Sequence, residues 1–183
     1  MPITTQQLLQ ILPNAGAKAG VFAPVLNAAT GHFGILTLAQ MAAFIAQIGH
    51  ESGHLRYVRE IWAPTKQQMG YEGRKDLGNT FPGDGSRYRG RGLLQITGRA
   101  NYRQCSLALF GDERLLQQPQ LLEQPQWAAE SAGWFWQLNG LNELADQDQF
   151  NSITRRINGG LNGLQDRLQL WARARAVLCQ PSA

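Results

Sequence analysis

The sequence predicts a mostly α-helical domain with a loop-rich middle segment. Apolar residues recur at the spacing of one helix face, as in Met41, Phe44 and Ile48. Thr37 precedes this run in the position of a helix cap. Over residues 63–92, glycine, proline, asparagine and aspartate are frequent instead, which is typical of turns and loops.

Punctuating residues place the other predicted helices. Thr4 and Thr5 are candidate caps of a short first helix that stops before Pro13. Asn158, Gly159 and Gly160 form a strong stop signal. The remaining helices are predicted over about residues 17–29, 99–109, 127–138, 149–157 and 163–179. A small hairpin is predicted at 88–96, and Leu164, Leu168, Trp171 and Leu178 are predicted to form the apolar stripe of the last helix.

Length and composition fit one globular domain over residues 1–183. The chain has 183 residues with 43% apolar and 16% charged residues, enough for a hydrophobic core and too apolar for a disordered chain. Its net charge of +4 suits an anionic partner such as a cell-wall polymer, nucleic acid or lipid head groups, or aids solubility alone.

Targeting signals and cysteines give further expectations. No apolar run is long enough to cross a membrane, so stable membrane insertion is not expected. The amino-terminal residues carry no basic start, so synthesis in the cytoplasm without a signal peptide is expected. Cys105 and Cys179 can neither form a disulfide framework nor complete a zinc site by themselves, although one disulfide stays open.

Residues 50–54, His-Glu-Ser-Gly-His, match the short pattern of zinc proteases. On a helix the two histidines would share one face, with the glutamate as general base. A third ligand is required, and the extended pattern would need glycine and histidine where Tyr57 and Glu60 stand. The only other histidine, His32, lies upstream. We therefore expect no metal at this site.

Glu51 has a second interpretation, as a general acid. It continues the apolar stripe of its predicted helix, and partial desolvation disfavours the charged form of a carboxylate. A glycosidase needs a second carboxylate, for which Glu60 is nearest. Positions 51 and 60 would point to opposite faces of one helix, so the helix must end between them, plausibly at Gly53. Three rival carboxylates lie in the loop region: Glu72, Asp76 and Asp84.

Residues 90–102, GRGLLQITGRANY, resemble glycoside hydrolase family 19, which contains chitinases and many phage endolysins. The match is to the family segment Gly-Arg-Gly-x-x-Gln-[Leu/Ile]-[Ser/Thr]-x-x-x-Asn-Tyr. Three further matches lie in the expected order at residues 50–52, 157–160 and 166–167. Together the four matches span about residues 44–170, nearly the whole chain.

The resemblance implies a lysozyme-like α fold of two lobes with a central cleft. It implies an inverting mechanism without a cofactor, in which the two carboxyl groups stand about 6.5–9.5 Å apart. Glu51 aligns with the general acid, Glu60 with the general base, and Thr97 with the residue that holds the attacking water. The implied substrate-binding residues are His50, Gln95, Asn101, Asn158 and Arg167, of which Arg167 organises the acidic residues.

Departures from the plant pattern favour the phage endolysin branch. The stretch between the two glutamates is short, the family's cysteine pairs are missing, and Ala100 replaces a common aromatic residue. We therefore expect a monomeric endolysin-type muramidase that acts on peptidoglycan after release by a holin or lysis, with no nucleic-acid partner. A bacterial chitinase is the alternative within the family. A wall-binding module without catalysis and a zinc protease are alternatives from other classes.

Three arginines flank the loop segment before Gln95. Arg87, Arg89 and Arg91 are expected to attract the carboxylates of peptidoglycan stem peptides, which chitin lacks, or else to brace the loops. Because exposed charges are screened by salt, activity on the wall is expected to fall as ionic strength rises.

The metal-free expectation is testable. Activity should survive dialysis against a strong chelator, because acid/base hydrolysis of a glycosidic bond by two carboxyl groups needs no metal. The measurement is the turnover rate before and after dialysis. A loss that added zinc restores would support the protease pattern at residues 50–54.

Overall fold

The computed structural model describes residues 2–63 and 65–180. Within these ranges the chain forms eleven α-helices and no β-strand, so the predicted mostly α fold is confirmed. Three 3₁₀ segments, Pro13–Ala15, Lys75–Leu77 and Pro119–Glu123, connect some of them. The helices are α1 (Thr5–Ile11), α2 (Lys18–His32), α3 (Leu38–Glu51), α4 (Lys66–Met69), α5 (Asp84–Arg87), α6 (Arg99–Phe110), α7 (Arg114–Gln117), α8 (Pro125–Leu138), α9 (Leu141–Asp146), α10 (Phe150–Asn158) and α11 (Leu164–Leu178).

The helix α3 is the centre of the fold. All of its residues from Gln40 to Gly49 are buried, including the predicted stripe. Alanines and Gly49 leave room for neighbouring helices on the other faces. A Cβ on Gly49 would come within 2.5 Å of Leu12 and 3.5 Å of Leu170 on α11. The long helices α3 and α11 therefore pack along each other at close range.

Two apolar clusters form the two predicted lobes. The larger surrounds α3 and includes Leu94. The smaller includes Ile96 and Trp134, while Phe135 packs against both clusters. A groove is lined from the two sides by Leu94, Ile96 and Trp134. The central cleft expected from the sequence is thus present.

Threonine-glutamine capping boxes begin three helices. Thr4, Thr37 and Thr65 each accept a hydrogen bond from the backbone of the glutamine three residues later, whose side chain accepts one from the threonine backbone. The predicted starts of α1 and α3 are confirmed, with Thr4 as the cap of α1. The short helix α9 was missed because six residues are too few to show a helical period.

Two local predictions held only in part. On α11 the predicted stripe packs against the larger cluster through the buried Leu178 and the half-buried Leu168 and Trp171, but the buried residues also include Arg167, Leu170 and Ala174. The predicted hairpin at 88–96 is reduced to a tight turn. Within these residues its one ladder contact is the bridge between Arg91 and Ile96, and Arg91 also pairs with Arg59.

The two cysteines are free thiols. Cys105 is buried and Cys179 is exposed. Burial raises the pKa of the Cys105 thiol to about 12. Among the helices of the described part of the chain, none has the length and hydropathy needed to cross a membrane.

Gly133 on α8 provides a test of the packing between α2 and α8. A Cβ at this position would lie 2.3 Å from the buried ring of Phe33, which a rigid aromatic side chain cannot relieve without moving. We expect Gly133→Ala to lower the free energy of unfolding by about 1–3 kcal/mol. In the control Gly31→Ala on α2, the added Cβ meets nothing within 4 Å, and alanine should stabilise the helix by up to about 1 kcal/mol. Urea unfolding measures both, and equal effects would contradict the close packing.

Candidate active site

The helix α3 ends at Glu51, as the sequence argument required. Gly53, His54 and Leu55 then follow with φ of 56°, 61° and 66°, all in the left-handed region. For His54 and Leu55 this backbone costs about 1–2 kcal/mol each. The buried Ser52 holds the turn, since its hydroxyl donates to Ile48 O at 2.5 Å and accepts from Leu55 N at 2.8 Å. The chain therefore turns away sharply just after Glu51.

Glu51 forms an ion pair with Arg167. The guanidinium Nη2 of Arg167 lies 2.5 Å from Oε1 of Glu51, and the two side chains are 2% and 19% exposed. The ion pair therefore fixes the position of the group that the family resemblance assigns as the acid.

Buried polar groups fix the orientation of Arg167. Its Nη1 donates to Oε1 of Gln47 at 2.5 Å, and its Nε donates to the carbonyl of Asn162 at 3.2 Å. Gln47 is fully buried on α3 and donates in turn to the hydroxyl of Thr154 at 2.8 Å. All three nitrogens of the guanidinium are therefore engaged, which offsets part of the cost of burying its charge.

Glu60 is held by the loop segment. One carboxylate oxygen accepts from the side-chain amide of Gln68 at 3.0 Å, and the other accepts from the backbone N–H of Gly90 at 3.2 Å. The Gln68 amide also donates to the carbonyl of Ile61 at 2.9 Å. Tyr71 is a further neighbour of Glu60. Burial and the nearby Glu60 carboxylate raise the pKa of its phenol. Gln68, which belongs to the capping box of α4, thereby positions the carboxylate of Glu60 in the loop that precedes this helix.

The groove between the lobes has a volume of about 560 Å³. Four residues predicted from the sequence lie in its wall: Gln95, Thr97, Asn101 and Asn158. They come from different elements, since Gln95 and Thr97 belong to the turn before α6, Asn101 to the first turn of α6, and Asn158 to the end of α10. Aromatic side chains, among them Tyr71 and Trp134, line the same groove.

The recorded hydrogen bonds leave acceptors available in the groove. The amide nitrogens of Gln95 and Asn101 donate to Gly92 O and Thr97 O, both at 2.8 Å. The side-chain oxygens of these two residues accept no hydrogen bond from the described residues. An amide oxygen can accept from the N–H of an N-acetyl group or from a sugar hydroxyl.

Two series of contacts join the glutamates to this groove. A Cβ on Gly90 would lie 2.6 Å from Oε1 of Gln95 and 3.3 Å from the hydroxyl of Thr97, while the N–H of Gly90 binds Glu60. On the other side, the carbonyl of Asn162 accepts both from Arg167 and, at 3.0 Å, from Asn158. Neither glutamate is among the residues that line the groove, and each is linked to it through intermediate residues of a different element. Their roles as base and acid stay predictions.

His50 is bound within the protein. Its Nδ1 lies 2.6 Å from a carboxylate oxygen of Asp166 on α11, and its ring lies directly against Gly163. The side chain is 26% exposed. The predicted contact of His50 with substrate stays a prediction, whereas its contact with α11 is observed.

The three rival carboxylates have other partners. Glu72 accepts from the backbone N–H groups of Gly83 and Gly85. Asp76 is paired with Arg74. Asp84 is buried and binds Arg99 and the backbone of Phe81. Glu60 is therefore the second carboxylate that the geometry favours.

Of the three arginines before Gln95, two brace the fold, as the second of the two expectations stated for them has it. Arg87 donates to the carbonyls of Leu116 and Gln117. Arg91 is 5% exposed and binds Glu123 at 2.7 Å. Only Arg89 lines an open pocket. The number of charged residues in the sequence does not show which guanidinium groups form hydrogen bonds or ion pairs within the protein.

Sequence reasoning missed Gln47, Gln68 and Tyr71. Gln68 could have been found, because Thr65 and Gln68 have the spacing of a capping box. Gln47 appears in the sequence as one polar residue in an apolar helix, a pattern that indicates a buried polar contact without naming its partner. Nothing in the sequence links Tyr71 to Glu60.

Comparisons with known proteins agree with this architecture. The chain is 31% identical, over 198 aligned residues, to a glycosyl hydrolase family 19 domain-containing protein of Haemophilus influenzae, covering 93% of this chain and 94% of that protein. It is 32% identical to Endochitinase CHI of Arabidopsis thaliana over 65% of this chain, but spans only 42% of that protein. No protein-family model matches the chain.

Solved structures share the fold. Chitinase C from Streptomyces griseus HUT6037 superposes with a TM-score of 0.74 at 26% identity, covering 96% of this chain and 92% of its own. A bacterial family 19 chitinase reaches a TM-score of 0.77 at 24% identity, covering 100% of this chain and 98% of its own.

The lysozyme-like α fold inferred from the family segment is therefore confirmed. The similarity to the Haemophilus protein extends over nearly the full length of both chains and therefore shows the family as well as the fold. The chain belongs to glycoside hydrolase family 19 and is a chitinase-like glycoside hydrolase.

Proposed function

We propose that the chain is an endolysin-type muramidase that hydrolyses the β-1,4 glycosidic bonds of peptidoglycan by inversion and acts on the wall after release from the cell. One observation carries the acid/base part of the proposal. Glu60 and Thr97 adjoin the same glycine, Gly90, and Thr97 lines the groove. Arg167, the partner of Glu51, donates to the carbonyl of Asn162, which also accepts from the groove residue Asn158. Two carboxyl groups from separate elements are thereby linked to residues that line the groove.

In the proposed mechanism Glu51 donates its proton to the glycosidic oxygen as the bond to the anomeric carbon breaks. A water held by the hydroxyl of Thr97 attacks the opposite face of that carbon, and Glu60 takes the proton that the water loses. The product has inverted configuration. Glu51 ends ionised and Glu60 ends protonated, so one proton exchange with solvent restores the starting state.

Two features support peptidoglycan as the substrate. The connection from Glu51 to Glu60 is short, and Ala100 stands where chitinases of the family commonly carry an aromatic ring. A cleft with fewer walls and rings suits a polymer that carries peptide branches. The net charge of +4 also complements the carboxylates of those branches.

A chitinase is the second candidate. The plant relatives and the structural neighbours carry that name, and the groove offers amide acceptors that suit any N-acetylated sugar. Peptidoglycan and chitin share the β-1,4 linkage and the N-acetyl group. The lactyl-peptide branch is the chemical difference on which discrimination must depend.

Substitution of the proposed acid and base tests the mechanism. We expect Glu51→Gln to lower kcat by about 10²–10⁴-fold, because glutamine cannot donate the proton. Glu60→Gln should be comparably severe. Thr97→Ala should cost only about fivefold, the value of one hydrogen bond, since water can still enter. Turnover of a soluble glycan measures all three.

The matched control for these variants is Glu143→Gln, which makes the same chemical change at an exposed carboxylate outside the groove. Its kcat should equal that of the parent. Thermal unfolding of every variant separates lost chemistry from lost folding. A near-normal rate for folded Glu51→Gln would overturn the proposed mechanism.

Digestion of two purified polymers tests the substrate. We expect mass spectrometry of peptidoglycan digests to show muropeptides that end in a reducing N-acetylmuramic acid, released faster than oligosaccharides from chitin. Fragments cut at an amide would contradict a glycosidase, and a chitin rate equal to or above the peptidoglycan rate would favour the chitinase. The peptidoglycan rate should also fall with added salt, because ionic screening weakens attraction between exposed charges.

A further inference from the structure

A second pocket of about 560 Å³ lies outside the groove, and we name it the arginine pocket. Three guanidinium groups line it, from Arg56, Arg59 and Arg89. The pocket is also lined by two aromatic residues, Tyr57 and Trp62, and by one acidic residue, Glu123. None of these residues takes part in the mechanism above.

The arginine pocket carries surplus positive charge. Its carboxylate, Glu123, is bound by Arg91 at 2.7 Å from behind and by Arg59 at 3.3 Å. Arg91 is almost fully buried, so this one carboxylate is shared between a structural guanidinium and a pocket guanidinium. Arg56 and Arg89 form no ion pair with any residue in the described ranges.

Arg89 is the most constrained of the three. Its guanidinium lies over the ring of Trp62, 5.7 Å from the centroid, which fixes its plane. Its buried Nε has no hydrogen-bond partner in the described structure. Burial, with Arg91 and Arg59 nearby, lowers the pKa of Arg89 from its usual value. The Nη1 group of Arg89 donates a long hydrogen bond of 3.4 Å to the carbonyl of Ser86, and no acidic group of the described residues pairs with this guanidinium. An anion entering the pocket would relieve the repulsion between the guanidinium groups.

Arg56 offers a more exposed charge at the rim. It lies over the ring of Tyr57 at 5.7 Å and donates no side-chain hydrogen bond to the described residues. A guanidinium presents paired N–H groups that match the two oxygens of a carboxylate. The pocket therefore combines planar donors with apolar ring surfaces.

The pocket adjoins the proposed catalytic groove. Trp62, which supports Arg89, contacts Tyr71 with a centroid distance of 6.3 Å, and Tyr71 lines the groove. Glu60 lies in the chain between the pocket residues Arg59 and Ile61, so the proposed base and the pocket belong to the same short segment.

We propose that the arginine pocket binds a carboxylate on the peptide branch of the polysaccharide, and that it makes the enzyme select branched, anionic glycans over neutral ones. The inference rests on the proposed function and extends it from the cleaved bond to the branch. Arg89 and Arg56 bind the carboxylate, Arg59 adds attraction, and the rings of Tyr57 and Trp62 contact the aliphatic part of the branch.

The test measures binding in a Glu51→Gln background, so that the polymer stays intact. The probe is insoluble peptidoglycan sacculi treated with hydrofluoric acid, which removes phosphate polymers. A matched sample has its carboxylates converted to N-methyl amides with carbodiimide and methylamine, and chitin beads serve as a neutral polymer. Sedimentation at increasing polymer concentration gives an apparent Kd for each variant.

We expect Arg56→Gln and Arg89→Gln each to raise the apparent Kd for untreated sacculi about three- to tenfold, the range expected for one charge-assisted hydrogen bond near the surface. Arg56→Lys should retain most of the affinity, because the charge remains. Lys18→Gln, which removes one exposed charge on α2 outside both pockets, is the control and should bind like the parent. On amidated sacculi and on chitin, all variants should bind alike.

Equal losses on charged and amidated sacculi, or no loss in either arginine variant, would overturn the inference. Binding to sacculi that keep their phosphate polymers, with none to the sacculi treated with hydrofluoric acid, would identify phosphate as the ligand and would overturn it too. A failure of the proposed function has a different signature. In that case the parent enzyme would release no glycan fragments from peptidoglycan, whatever the charge dependence of binding.

Discussion

The ion pair between Arg167 and Glu51 is the constraint on which the rest of the site depends. Burying a guanidinium costs several kcal/mol unless its donors are paired, and here Gln47, Glu51 and the carbonyl of Asn162 pair all of its nitrogens. These partners lie on α3 and just before α11. The contact that positions the proposed acid therefore also aligns the two helices at the centre of the fold, so the requirements of stability and of catalysis meet in one arginine.

The proposed base, Glu60, is positioned by hydrogen bonds from a loop and a short helix and not by an ion pair. Glu60 belongs to a segment without regular secondary structure, and a loop carboxylate is positioned only by the hydrogen bonds that it accepts. The backbone of Gly90 and the amide of Gln68 supply them. Gln68 also belongs to the capping box of α4, so the same side chain joins the start of this short helix to the loop that carries Glu60. The acid is thus attached to the core and the base to a loop, with the groove between.

Charge in this protein is divided between structure and recognition. Arg87 donates to loop carbonyls and Arg91 pairs with Glu123. Arg56 and Arg89 line the arginine pocket and pair with no carboxylate in the described residues. A guanidinium without an anion is costly near other cations. We accordingly assign specific attraction to the peptide branch to a local pocket near the groove, in addition to the general attraction that the net charge of +4 supplies.

The sequence by itself determined the α-helical class, the starts of α1 and α3, the end of α3 between Glu51 and Glu60, and the four polar residues of the groove. The helices follow from local rules, namely helix caps, apolar periodicity and the tolerance of Gly53 for a helix break, and the groove residues follow from the family resemblance of residues 90–102 and 157–160. Only the tertiary structure decided that Arg167 faces inward on α11, that Gln68 holds Glu60, and that Arg89 rather than Arg91 keeps its charge available. The physical reason is that hydrogen bonds and ion pairs between distant segments depend on which faces pack together, and residue spacing within one segment carries no record of the partner.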